Sequence, residues 1–229
     1  MDDDRSNGKP AHEREAGACG PGVSSRYRHR FVLLLPAVLL VVIGVALAQP
    51  PDVADLSEEG RPMVTDLISE WREGDVIVLL RHLERCDRAD SPCLDGREQG
   101  ITVRAVHHGY ELGRGFKRLG LQNADISNSP LARTAQTSKI VFSREDDQHW
   151  LYACREQMLE SVMQRKVRGR NLILVTHSGC MEAFQSELGY DDDTPGYGTA
   201  LFVSEDHANR KLQLLGFLDA EDWDATLGF

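Results

Sequence analysis

An arginine, a histidine and a carboxylate stand close together at Arg81, His82 and Glu84, directly after the apolar run 75–80. Two later segments are built the same way. The short run 124–128 leads into Ser129-Pro130-Leu131-Ala132-Arg133-Thr134, and the apolar 171–176 leads into His177-Ser178-Gly179. Guanidinium is a planar, permanently charged fork that fits a tetrahedral oxyanion, so Arg81 and Arg133 are expected to bind a phosphoryl group. An imidazole with an unprotonated ring nitrogen can attack phosphorus and form a phosphohistidine that water then hydrolyses. A second imidazole, His177, is expected to hold a non-bridging oxygen as the group transfers. Ser178 and Gly179 open a helix whose free N–H groups add to an anion hole. The departing alkoxide needs a proton from a carboxylic acid. No metal is required, because arginine and histidine supply the positive charge that a cation supplies elsewhere.

These groups meet only if the right elements deliver them. Residues 75–80 read as a strand buried on both faces, of the kind found in parallel sheets. A helix is expected over 102–119, with Val103, Val106, Tyr110, Leu112, Phe116 and Leu119 facing inward and Gly120 ending it. Residues 124–128 form a second strand, and Pro130 sits in the first turn of a helix running to 142. A helix over 150–167, a strand over 171–176 and a helix over 179–188 follow. Residues 199–204 and 212–217 read as two further strands, joined as an antiparallel pair. The alternation implies an α/β three-layer sandwich with a mostly parallel central sheet and helices on both faces. In such sheets ligands bind beyond the carboxyl ends of the strands, where His82 and His177 fall.

Residues 31–48 are uncharged and apolar, with Arg26, Arg28 and Arg30 before them and Asp52, Asp55, Glu58 and Glu59 after. Eighteen residues are short for a span, which takes about 20, and long for a signal core. A single transmembrane or signal helix is therefore expected, uncleaved or cut after Ala48. The flanking charge puts a polar leader, 1–30, in the cytoplasm and the remainder outside it. Residues 49–73 are expected to form a linker and short helix, and 74–229 the catalytic domain. The predicted location is the inner membrane, single-pass with a periplasmic domain, or the periplasm itself after cleavage. Six of 26 basic and five of 36 acidic residues lie before Gln49, so the exported part carries about minus 11. That balance argues against nucleic acid as a partner. Cys86, Cys93, Cys154 and Cys180 fall in the exported part, an even number that suggests two disulfides. Cys86 and Cys93 bracket a short loop, while Cys154 and Cys180 are either the second pair or free and buried.

The segments RH-x-E at 81–84, S-P-L-A-R-T-A-Q-T at 129–137 and V-T-H-S-G at 175–179 together resemble the histidine phosphatase superfamily, the phosphoglycerate mutase-like proteins. Within it, 84–88, Cys93 and 100–103 resemble the lipopolysaccharide core heptose(II)-phosphate phosphatases. The resemblance implies His82 as nucleophile, Arg81 and Arg133 as phosphate ligands and His177 as the second histidine. Glu156, Asp147 and Glu84 are the candidates for the proton donor, with Glu156 placed in the catalytic set and Glu84 and Ser178 in support. Leu83 departs from the superfamily, where glycine usually follows the nucleophile. The function so implied is hydrolysis of a phosphate ester on a phosphorylated small molecule or glycolipid, an envelope core sugar among them. The alternatives are a mutase-type phosphotransferase and a non-catalytic anion-binding envelope protein.

Overall fold

A computed structural model describes residues 38–39, 50–154, 156–191, 193–206 and 211–227. The compact unit from Pro50 onward contains helices α1 (Arg61–Glu73), α2 (Val106–Leu119), α3 (Ala132–Phe142), α4 (Met158–Met163), α5 (Ser178–Glu187) and α6 (Trp223–Leu227). Its strands are β1 (Val76–Arg81), β2 (Ala124–Asn128), β3 (Asn171–Thr176), β4 (Ala200–Asp206) and β5 (Lys211–Leu218).

The sheet has the order β2-β3-β1-β4-β5. β1 and β2 each pair in parallel with β3, whereas β4 runs antiparallel to both β1 and β5. The expectation of a mostly parallel sheet is therefore corrected: the sheet is mixed. Its physical source is β4, which is buried on both faces although antiparallel. An apolar run reports two-sided burial and carries no information on strand direction.

Side-chain alternation along the strands separates two cores. Val76, Val78 and Leu80 of β1 face the layer that holds Leu67, Trp71, Phe116, Val141 and Trp223. Ile77 and Leu79 face Met158, Val162, Met181 and Phe184. Leu56, Val64, Leu67 and Trp71, within the segment expected to act as linker and short helix, belong to the first core. Gly74 closes α1 with φ 80°, where its own backbone lies against Gly169, and a side chain would meet both the strained angle and that contact.

Of the apolar stripe expected over 102–119, Leu112 and Phe116 are buried and Leu119 packs against the core, but Val103, which precedes α2, and Tyr110 do not face inward. Val103 and Tyr110 are 51% and 59% exposed, while Gly109, Gly113 and Gly115 are buried beside Leu112 and Phe116. A Cβ on Gly113 would lie 2.8 Å from the Val141 carbonyl oxygen, so the missing side chains let α3 approach α2 closely. The helix expected over 150–167 is broken into a 3-10 turn at His149–Leu151 and α4, with Gln157 at φ 60° between them. Among the described residues no helix is long and apolar enough to cross a membrane. The helix expected over 31–48 lies outside the described residues apart from Val38 and Leu39.

Candidate active site

Two adjacent parallel strands bring the histidines together. Arg81 ends β1 opposite Thr176 at the end of β3, so His82 and His177 are each the first residue beyond a strand end in register. The His82 N–H donates to the Thr176 carbonyl at 3.0 Å. Their rings lie 5.4 Å apart, edge to face. β2 delivers Ser129 to the same rim, where its N–H donates to Val175 O and its Oγ lies 2.9 Å from His177 Nε2. Arg133, in the first turn of α3, donates from Nε to His82 Nε2 at 3.2 Å.

The tautomer of His82 follows from its partners. Nδ1 lies 2.7 Å from the Leu83 carbonyl oxygen, which can only accept, so Nδ1 carries the proton and Nε2 keeps a lone pair. Burial, and then the neighbouring His177, Arg133 and Arg81, push the His82 pKa well below its ordinary value, against the pull of the Leu83 carbonyl. The His177 pKa is lowered to about 4 by burial, with Arg133, Arg85 and Arg81 adding to the shift. Both rings are thus neutral at neutral pH.

The polar residues of 129–137 act as clamps. Thr137 Oγ1 accepts from the Leu83 N–H at 3.0 Å and donates to the Arg133 carbonyl at 2.7 Å, which ties the peptide after His82 to the arginine helix. Thr134 Oγ1 donates to the Ser129 carbonyl. Gln136 accepts from the Ile101 N–H and donates to Asp95, joining α3 to the loop that carries Cys86 and Cys93. All three side chains are buried.

A cavity of about 270 Å³ opens over these groups. Arg81, His82, Arg133, His177 and Ser178 line it as expected from the sequence, and Arg85, Arg88 and Tyr152 join them. Arg81 Nε and His177 Nδ1 are buried without a partner among the described residues. Tyr197 was not foreseen. The Arg81 guanidinium lies 4.1 Å from its ring centroid and donates to the Pro195 carbonyl. The only sequence signal for this residue is its pair of flanking glycines, Gly196 and Gly198, in the loop before β4.

The carboxylates proposed as proton donors lie elsewhere. Glu84 accepts from Thr102 at 2.8 Å and from Arg104 at 2.6 Å, and the Arg104 hydrogen bond holds its pKa below the usual range. With Leu83 it lines a neighbouring cavity. Asp147 accepts from the Asn128 amide. Glu156 is exposed and does not line the cavity over His82 and His177. Cys86 is bonded to Cys93, and Cys154 to Cys180. Cys154 and Cys180 lie in the cavity wall. The described residues contain no cluster of three or more groups able to hold a metal.

No family model matches the chain. It is 27% identical over 209 residues to the lipopolysaccharide core heptose(II)-phosphate phosphatase of Salmonella paratyphi B, covering 84% of this chain and 92% of the relative. Against the Escherichia coli O1:K1 protein of the same name it is 27% identical over 165 residues, 69% of this chain and 78% of the relative. Among solved structures, a phosphoserine phosphatase mutant of Entamoeba histolytica superposes with a TM-score of 0.49 at 12% identity, over 64% of this chain and 98% of the other. A mycobacterial glucosyl-3-phosphoglycerate phosphatase gives 0.48 at 13% identity, over 61% and 96%.

Proposed function

We propose that this chain is a histidine phosphatase, a hydrolase that removes a phosphoryl group from an ester by way of a phosphohistidine at His82. The observation that carries this reading is the His82 environment: Nδ1–H is committed to the Leu83 carbonyl, and Nε2, the nitrogen with the lone pair, points to Arg133. An imidazole so held is a nucleophile whose partner guanidinium can pass from the ring nitrogen to the incoming phosphate. Arg81 and Arg133 bind the non-bridging oxygens through their forks. A Ser129 hydroxyl donating to His177 Nε2 leaves the proton on Nδ1, which then donates to a phosphate oxygen as charge develops there. The N-terminus of α5 at Ser178 adds the positive end of a helix dipole.

In the first half-reaction Nε2 attacks phosphorus, the P–N bond forms as the P–O bond to the leaving oxygen breaks, and the departing alkoxide takes a proton from solvent water. In the second, water attacks phosphorus, the P–N bond breaks and returns its electron pair to Nε2, the water's proton passes to solvent, and inorganic phosphate leaves. The substrate proposed is a phosphorylated sugar of the lipopolysaccharide core. The similarity to the heptose(II)-phosphate phosphatases over most of both chains supports it. An extracytoplasmic site of action is supported by two disulfides among the described residues, since thiols of the reducing cytoplasm seldom stay paired.

The test is to incubate the protein with radiolabelled phosphate ester, quench in base and look for a base-stable, acid-labile phosphoprotein. The label is expected in the native chain and absent in His82→Ala. Phosphate release without any trapped label, at the same rate in His82→Ala, would overturn the assignment.

A further inference from the structure

Four guanidiniums line the cavity, although a single phosphoryl group is served by Arg81 and Arg133 with the two histidines. Arg85 and Arg88 are the excess. Arg85 is oriented by Asp87, which accepts from its Nε at 2.8 Å and from Nη2. No hydrogen bond or ion pair among the described residues holds Arg88, which is exposed at the end of the 3-10 turn Cys86–Arg88. That turn is not a loose loop. The Cys86–Cys93 disulfide closes it, Cys86 N donates to Gly100 O, Leu94 N donates to Ile101 O, and Gln136 anchors the strand-like return at Ile101. The backbone that carries Arg88 is therefore already ordered, and only the side chain has to settle when an anion arrives.

Charge balance points the same way. Asp87 holds Arg85 and Glu182 acts on Arg81, so of the guanidiniums along the wall Arg88 is the one left without an ion pair or hydrogen bond among the described residues. Arg85 and Arg88 both repel Arg133. The chain as a whole is acidic, with net charge −10, so this basic cluster is a local concentration against the general field.

We infer that the substrate carries a second anionic group beside the hydrolysed ester, a phosphate or a carboxylate, and that Arg88, with Arg85 behind it, binds that group and sets specificity. The inference rests on the phosphatase reading above and narrows its substrate to polyanionic sugars.

Steady-state hydrolysis of glucose 6-phosphate, glucose 1,6-bisphosphate and 6-phosphogluconate by the native chain and by Arg88→Ala and Arg88→Lys tests it. The native chain is expected to favour the two doubly anionic sugars in kcat/KM. Arg88→Ala should cut that preference by about tenfold to a hundredfold, the worth of one charge-assisted contact, chiefly through KM. Arg88→Lys should restore part of the preference, and added salt should weaken it. A gain with the bisphosphate alone identifies the second group as phosphate; a gain with both sugars admits carboxylate. Equal kcat/KM on all three sugars, or a preference unchanged in Arg88→Ala, overturns the inference while leaving the phosphatase reading standing. Absence of turnover on every ester, p-nitrophenyl phosphate included, with no phosphohistidine, overturns both. Unchanged thermal unfolding of Arg88→Ala excludes a folding defect as the cause.

Discussion

His82 and His177 stand at equivalent positions one residue past the ends of neighbouring parallel strands, joined through the His82 N–H to the Thr176 carbonyl. Strand register, not a long-range loop, sets the distance between the two imidazoles. The roles assigned to them differ, and so do the expected losses. His82→Ala should abolish turnover of p-nitrophenyl phosphate by roughly four orders of magnitude. His177→Ala should lower kcat by about a hundredfold to a thousandfold, as removal of an oxyanion donor does, and still allow phosphohistidine to be trapped. Equal, small effects of both changes would contradict the division of labour.

Replacing Arg133 separates charge from shape. Arg133→Ala removes the donor to His82 Nε2 and a phosphate fork, and kcat/KM should drop by about a hundredfold or more. Arg133→Lys keeps the charge but not the fork, so it should recover only a minor part. Full recovery in the lysine variant would show that charge alone suffices.

Acidity should act on rate and stability with the same sign. His177 has its pKa pushed down to about 4, first by burial and then by Arg133. His82 is displaced in the same direction. Both nucleophile and donor therefore stay neutral in mild acid, and kcat/KM should hold to about pH 5 before falling. Arg133→Ala, by removing a repelling charge, should move that acid limb to higher pH. Because the folded pKa values lie below that of a free imidazole, near 6.5, the unfolded chain takes up protons first as pH falls. The stability linked to His177 is complete above pH ~6.5 and is lost between there and about 4, and the His82 contribution has the same sign. Thermal unfolding across that window should fall less steeply in a His82→Gln, His177→Gln double variant.

Thr137 is predicted to matter for both folding and catalysis without touching substrate. Thr137→Val keeps the shape but leaves the Leu83 N–H without its acceptor, at a cost of about 1–3 kcal/mol in urea unfolding. The peptide that follows His82 loses its anchor, so kcat should fall while KM moves little. Thr137→Ser, which retains the hydroxyl, should rescue kcat. A Ser variant as impaired as Val would show that the hydroxyl does not restore function and would overturn the anchoring role.

Much of this arrangement can be read from residues alone, and the remainder fails for identifiable reasons. The strand bounds at 124–128 and 171–176 coincide with β2 and β3, and Arg81, His82, Arg133, His177 and Ser178 do line one cavity. Apolar spacing found Leu112, Phe116 and Leu119 on the inner face of α2 but also put Val103 and Tyr110 there, and it missed the glycines that make the close contacts, which carry no hydropathy signal. It also extended one helix across 150–167, where the Cys154–Cys180 bond and the left-handed Gln157 interrupt the chain. The antiparallel pairing of β4 with β5 was expected, but its direction against β1 was invisible, since a strand buried on both faces looks the same whichever way it runs. Arg88 and Tyr197 stand in loops whose path depends on a disulfide and on that strand, so no local pattern announces them.

The reversed direction of β4 has an effect on how the pocket can vary. β4 begins at Ala200 opposite Leu80, so the segment 193–199 arrives at the rim where β1, β2 and β3 finish, bringing Pro195 and Tyr197 against Arg81. A strand inserted the other way round would have sent that segment to the far edge of the sheet. The molecule thereby gains one wall that enters from outside the nucleophile's own strand–helix units. Lengthening or recolouring that wall can retune which sugars are admitted while the imidazole register behind it stays untouched.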